Sequence, residues 1–245
     1  MKAEYIQHMG TDLVVANAAR VSFNSHSSTL EKRDIRLIQY LARGCSDSDW
    51  AARVRAIVEW EDWTYSDAQA FLFANKNQAT HWTPFSHVTI TMRETVPVFV
   101  ARQRFKHVVG FTYNEISRRY VDDSPTFFTP DVWRSRPDAS IKQGSGDPHH
   151  AQLVWKNDYQ EYITKAEELY NSMIKNGVAP EQARMVLPQS MFTSYYVTGS
   201  LAAWARAYIQ RSHTHAQVEI QKLAKQWDII IEPLFPHSWK ALTRS

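Results

Sequence analysis

The chain has 245 residues, 44% of them hydrophobic, which is enough to bury one substantial core. Lys and Arg number 28 against 25 Asp and Glu, and a net charge of +3 excludes a uniformly basic nucleic-acid coat unless cations cluster locally. A single cysteine, Cys45, excludes an intrachain disulfide and a cysteine-rich zinc site.

The opening MKAEYIQHMGTDLVV lacks the basic-then-apolar run of a secretion signal. No apolar stretch approaches the ~20 residues needed to span a bilayer. The expectation is a soluble, cytoplasmic protein with no membrane partner.

Ser28 to Arg43 starts with a Ser-x-x-Glu capping box and spaces Leu30, Ile35, Leu37, Ile38 and Leu41 as a helix does, with Gly44 as the stop. Helical patterns follow around 47–60 and 66–78, and HWTPFSH, 81–87, breaks them at Pro84. In HVTITMRET, 87–95, Val88, Ile90 and Met92 alternate with Thr89, Thr91 and Arg93, the period of a half-buried strand. Pro97 suits the first turn of a helix running to Gly110, with GFTYNE as the loop beyond it. RSRPDASIKQGSGDPH, 134–149, reads as an exposed loop. A long helix is expected over 150–176 with Gly177 as its stop, then shorter ones at 180–187, 199–210 and 214–228. The sum is an α+β chain, one helix-rich domain over 1–245 around an antiparallel or mixed sheet.

Chemistry concentrates in RQRFKHVVGFTYNEISRRY, 102–120, where Arg102, Arg104, Lys106, Arg118 and Arg119 surround His107, Glu115 and Ser117. Arg102, Lys106 and Arg104 offer the charge-assisted donors that a phosphate needs. In an extended segment Ser117 and Arg119 would share a face, with Arg118 on the other. The plainer reading is a solvated helix face with weak surface ion pairs. Other groups are weaker signals. His213 and His215 form an H-x-H pair without a third ligand at defined spacing, so capping or packing suits them better than metal. His149 and His150 read as exposed, the tryptophans of 50–63 as packing, and Cys45 has no base beside it to make it a nucleophile.

VARQRFKHVVGFTYNEISRRY resembles the core motif of the flavin-dependent thymidylate synthases, R-H-R, seven residues, then Ser, inside a longer R-Q…N-E-x-S-x-R-Y context. AARVSF (18–23), THWTPFSH (80–87), EQARMVLPQSMFT (181–193) and QRSHTHAQVEIQKLA (210–224) resemble further landmarks in the family's order. Lys106-His107-Val108 stands where R-H-R is expected, eight residues separate it from Ser117, and 45–80 and 134–149 look like variable insertions.

The resemblance implies conversion of dUMP to dTMP, with methylenetetrahydrofolate giving the methylene and FAD, reduced by NADPH, giving the hydride. It implies that Gln103, Lys106, Glu115, Ser117, Arg118, Arg119, Arg184 and Arg211 hold dUMP, with Arg211 as the catalytic residue that steadies negative charge on the pyrimidine. Ser22, His81, Thr83, Lys106, His107, Val108, Glu115, Ser200, Arg206 and His215 match flavin-contacting positions. No metal and no protein nucleophile are implied, so Cys45 would be idle. A homotetramer with sites shared between subunits is the family's form. Two rival readings of the residues remain: a nucleic-acid-binding module stacking bases on Phe105, Phe111 and Tyr113, and a metal hydrolase built on His81, His87, His213 and His215.

Overall fold

The computed structural model describes residues 1–42, 58, 63–68, 81–138 and 144–244. The helices expected at 47–60 and 66–78, Gly44 and Cys45 therefore lie largely or wholly outside the described residues. In chain order the elements are β1 (Lys2–Met9), α1 (Asp12–Arg20), α2 (Lys32–Leu41), β2 (Thr89–Pro97), α3 (Val98–Arg104), β3 (Phe111–Glu115), α4 (Gln152–Lys175), α5 (Pro180–Ala183), β4 (Phe192–Ser200), α6 (Leu201–Ser212), α7 (Val218–Ile231) and α8 (Pro236–Thr243). This is the expected helix-rich α+β architecture, with an antiparallel four-stranded sheet ordered β1-β2-β4-β3. No described helix is long and apolar enough to cross a membrane.

The chain divides into two compact units, each assembled from separated segments. One comprises Met1–Ile6, Thr91–Thr198 and Gln210–Trp227, and carries most of the sheet. Its central strands obey the strand period. In β4 Thr193, Tyr195, Val197 and Gly199 are buried while their neighbours are not. β2 has neighbours on both sides, and Thr91 Oγ1 lies 2.9 Å from Thr198 Oγ1. Helix α4 buries Ile163, Ala166 and Tyr170 on one face. It ends where Gly177 takes φ +80°, which lets the Val178 N–H reach Met173 O at 2.9 Å. His149, expected to be merely exposed, works at the other end of α4: its Nδ1 accepts from the Ala151 N–H (3.1 Å) and Trp155 Nε1 (3.2 Å).

The other unit comprises Gln7–Ile90, Gly199–Ile209 and Asp228–Ser245. Here α1, α2 and α8 pack together around Val15, Ile38 and Trp239. Buried Asp12 accepts the His237 and Ser238 N–H groups, both at 2.9 Å, and so caps α8 with a charge that the helix N-terminus favours. The expected Ser28 capping box is displaced by one turn. Glu31 is the N-cap of α2 and Asp34 the reciprocal partner, because Asp34 also binds Arg20 (2.6 and 2.8 Å) and Ser27 Oγ (3.0 Å). Burial pushes the Asp34 carboxyl up, but the Glu31 N–H, Arg20 and Ser27 together hold it below its usual range.

Candidate functional site

The sheet unit builds its polar centre from a charge on an inward strand position. Glu94 stands between Met92 and Val96 at the buried parity of β2 and is fully buried. A carboxylate there needs a partner, and Arg104, at the end of α3, supplies it. Arg104 Nε lies 3.3–3.4 Å from both Glu94 oxygens, and both side chains are 0% exposed. Its Nη1 donates to Tyr113 Oη at 2.6 Å, and its guanidinium sits 4.3 Å from the Phe111 ring centre and 4.8 Å from that of Trp227. Tyr195 Oη donates to Glu94 at 2.6 Å. Burial drives the Tyr113 hydroxyl up to about 12, and burial together with Glu94 raises Tyr195 further. Arg104 is thus a structural cation and does not reach out to a phosphate, contrary to the sequence expectation.

Tyr113 also explains why α3 stops at Arg104 and not at Gly110. Its hydroxyl faces the carbonyls of His107 (2.7 Å) and Arg104 (3.3 Å), two acceptors that a continuing helix would use internally. Gly110, at φ +79°, then turns the chain into β3. The GFTYNE segment is consequently a strand and not a loop, with Phe111 and Tyr113 turned inward and Thr112 and Asn114 outward. Phe105, Phe111 and Tyr113 pack on one another and on Tyr195 with centroids 4.8–6.1 Å apart, which engages the faces a stacked base would need.

The segment released from the helix holds His107 against Arg211. Arg211 Nε donates to His107 Nε2 at 2.8 Å, and its Nη2 donates to Gln103 O at 3.1 Å. His107 therefore presents Nε2 unprotonated. Gln103 Nε2 donates in turn to Gln217 Oε1 at 2.5 Å. Burial, and after it the charge of Arg104, lower the Arg211 pKa from its ordinary value. Among the described residues no carboxylate pairs with Arg211, so a half-buried cation is held by neutral acceptors.

At the end of β3, Glu115 accepts from Thr193 Oγ1 at 2.6 Å. The residues after it form a turn and not an extended run: the Tyr120 N–H bonds Ser117 O at 3.0 Å, and Ser117 Oγ accepts the Arg119 N–H at 3.3 Å. Arg118 is taken up by Asp123, through its backbone oxygen and through a 3.1 Å ion pair. Arg119 lies 3.7 Å from Glu181, whose carbonyl accepts Arg184 Nε at 3.2 Å, so two cations distant in sequence converge on one residue. Lys106 and Arg184 are exposed, as is the apolar Val108. Glu94, Tyr195, Thr193, Gln217 and Glu181 were not singled out from the sequence, and Tyr113 only as a base-stacking ring; the one available signal was Glu94, a charge at an inward strand position.

The residues expected to hold dUMP all fall in the sheet unit. Those expected to hold flavin divide: Lys106, His107, Val108, Glu115 and His215 lie in the sheet unit, Ser22, His81, Thr83, Ser200 and Arg206 in the helical one. Ser22, His81 and Thr83 line a single cavity of about 640 Å³. Ser25, Tyr40 and Arg20 share its wall, with the Tyr40 and His81 rings stacked at 6.0 Å. Ser200 Oγ accepts the Ala203 N–H at 3.3 Å at the start of α6, and Arg206 is exposed. His213 Nδ1 accepts the His215 N–H at 3.2 Å, a local turn bond. Among the described residues no group of three His, Cys, Asp or Glu is placed to hold a metal, so the metal-hydrolase reading lacks its ligand set.

Arg119 and Arg184 meet at Glu181 and Lys106 stands exposed just past the end of α3, so this α+β fold gathers cations of the kind an anionic ligand needs. The model of the family described as thymidylate synthase complementing protein matches residues 4–237, and the chain belongs to that family, the flavin-dependent thymidylate synthases. It is 30% identical over 241 residues to the flavin-dependent thymidylate synthase of Thermosipho africanus, covering 98% of this chain and 89% of that one. The flavin-dependent thymidylate synthase of Thermotoga neapolitana is 27% identical over 241 residues, covering 98% and 90%. Among solved structures, the UMP/dUMP methylase PolB from Streptomyces cacaoi bound with 5-Br dUMP superposes with a TM-score of 0.75 at 25% identity, over 98% of this chain and 93% of that one.

Proposed function

We propose that the protein is a thymidylate synthase that converts dUMP to dTMP. The methylene would come from methylenetetrahydrofolate and the hydride from FAD reduced by NADPH. We further propose one catalytic domain over 1–245 and a homotetramer with sites shared between subunits. Family membership supports the reaction, and PolB, a dUMP methylase, is a structural relative. The observation that carries the reading is Arg211: a half-buried guanidinium fixed by His107 and Gln103 and matched by no carboxylate among the described residues. Such a cation stabilises negative charge that develops on a pyrimidine, and its fixed geometry avoids reorganisation during reaction.

In this reading Gln103, Lys106, Glu115, Ser117, Arg118, Arg119 and Arg184 join Arg211 around dUMP. Arg119 and Arg184, converging at Glu181, bind phosphate. Glu115, steadied by Thr193, accepts a donor from sugar or base. Ser22, His81 and Thr83 hold flavin with Lys106, His107, Val108, Glu115, Ser200, Arg206 and His215. The cavity fits the flat portion of such a group, since it offers stacked Tyr40 and His81 rings and the hydroxyls of Ser22, Ser25 and Thr83. Arg20 is already committed to Asp34 and adds no free charge there. When bound, the flavin supplies the hydride chemistry, and the chain's residues bind, orient and polarise.

The test is direct. Purified protein is expected to be yellow, to release FAD on denaturation, and to form dTMP from dUMP with methylenetetrahydrofolate and NADPH. A colourless protein that resists reconstitution with FAD, and binds oligonucleotides with steep salt dependence, would overturn the reading in favour of nucleic-acid binding.

A further inference from the structure

A glutamine at a binding site can present either its carbonyl oxygen or its NH2 group, and for Gln103 the choice is made at the start of α7. Gln217 stands immediately before that helix and Glu219 in its first turn, where the helix N-terminus favours a carboxylate. Glu219 is 5% exposed, and Arg134 Nη2 reaches its Oε1 at 2.6 Å. Arg134 is itself steadied by Ser145 Oγ, which accepts its Nε–H at 2.6 Å. Burial opposes ionisation of Glu219, but Arg134, the residue's own backbone N–H and the Gln217 side chain together hold its carboxyl below the usual range.

An ionised carboxylate only accepts, so Gln217 turns its NH2 group to Glu219 and its carbonyl oxygen the other way. That oxygen accepts Gln103 Nε2 at 2.5 Å, across 114 positions of sequence. The same NH2 group of Gln103 also faces Phe99 O at 3.5 Å, so its donor edge is taken up inside the protein. Gln103 is left with Oε1: among the described residues nothing donates to it, and the side chain is only half-buried. The backbone oxygen of the same residue accepts Arg211 Nη2 at 3.1 Å, so the polarity set at Glu219 reaches the residue that steadies the proposed catalytic cation.

We propose that Gln217 is a positioning residue that, held by Glu219, locks Gln103 with its carbonyl edge toward dUMP, so that the site reads a hydrogen-bond donor on the nucleoside and refuses an acceptor in its place. The inference rests on the dUMP reading above. A phosphate dianion carries no donor, so the group read is either the uracil N3–H or the 3′-hydroxyl of the sugar. An analogue lacking that donor leaves Gln103 Oε1 unpaired in a desolvated site, which is how a polar site rejects a near-identical ligand.

The test is equilibrium titration of the purified protein with dUMP, with dCMP, whose ring N3 is an acceptor, and with the 3′-deoxy analogue of dUMP. The parent is expected to bind dUMP at least ~10-fold tighter than one of the two analogues, and the analogue that loses affinity identifies the donor. Gln217→Met keeps the length of the side chain but frees the Gln103 amide to turn, and should shrink that preference at least ~threefold. Glu219→Gln, whose amide donates as well as accepts, releases the same lock from its far end and should shrink the preference in the same direction. A merely structural Gln217 would weaken all ligands alike and leave the preference intact. A preference unchanged in the folded Gln217→Met or Glu219→Gln protein, or absent from a parent that binds dUMP, would overturn the proposal. A parent that binds none of the three would instead remove the dUMP reading itself.

Discussion

Arg104 and Arg211 belong to the same compact unit and meet opposite fates. Arg104 is wholly buried, pairs with Glu94, bonds Tyr113 and is packed by Phe111 and Trp227. Arg211 is half exposed and rests on a neutral imidazole and a backbone carbonyl. A cation buried with its counter-charge does structural work, whereas one held by neutral acceptors, or like Arg119 paired only loosely with Glu181 in solvent, retains charge for a ligand. In a cluster of arginines it is the partner and its burial that separate scaffold from site.

The largest expected effect breaks the scaffold side of this contrast. Arg104→Met leaves Glu94 buried and unpaired, and should cost about 3–5 kcal/mol of unfolding free energy in a denaturant titration. Restoring neutrality with Glu94→Gln in the same chain should recover part of it. On the ligand side, Arg211→Ala should leave flavin bound and the melting temperature little changed, while dTMP formation falls about 10²–10³-fold. Full turnover in that variant would remove Arg211 from the reaction. A smaller loss, roughly tenfold in dUMP affinity, is expected for Lys106→Ala, since one exposed charge contributes less than a positioned one; unchanged affinity for both dUMP and FAD would detach Lys106 from the site.

The smallest effect concerns pH. Burial raises the Tyr113 hydroxyl to about 12 in the folded state, above the value of about 10 in an unfolded chain. A raised folded pKa means that the stabilisation is complete below about pH 10 and is lost as pH climbs toward 12. Melting temperatures measured from pH 9 to 12 should therefore fall less steeply for Tyr113→Phe than for the parent chain. Parallel curves would show that the Tyr113 hydroxyl is not what ties Arg104 to β3.

How legible these features are in the sequence follows the same division. β2, α4 and the Gly177 stop were readable because local period and a left-handed glycine set them. The end of α3 was not, since it depends on Tyr113 returning to take the carbonyls of Arg104 and His107. Nor was the role of Arg104: five cations in one stretch look alike until Glu94, ten positions earlier, is known to face inward. The proposed assignment of residues to dUMP and flavin rests on resemblance to a family. Their sorting into committed and available charges came from partners that the sequence does not display, namely Asp123 for Arg118 and Glu181 for Arg119 and Arg184.

The central claim, that the available cations form the phosphate end of a nucleotide site, is tested most directly by comparing the affinities of dUMP and deoxyuridine. The account predicts that dUMP binds at least ~100-fold tighter, as two charge-assisted contacts would give, and that replacing Arg119 and Arg184 together by alanine abolishes the difference. Equal affinities in the parent protein, or a preference for dUMP that survives the double replacement, would contradict it.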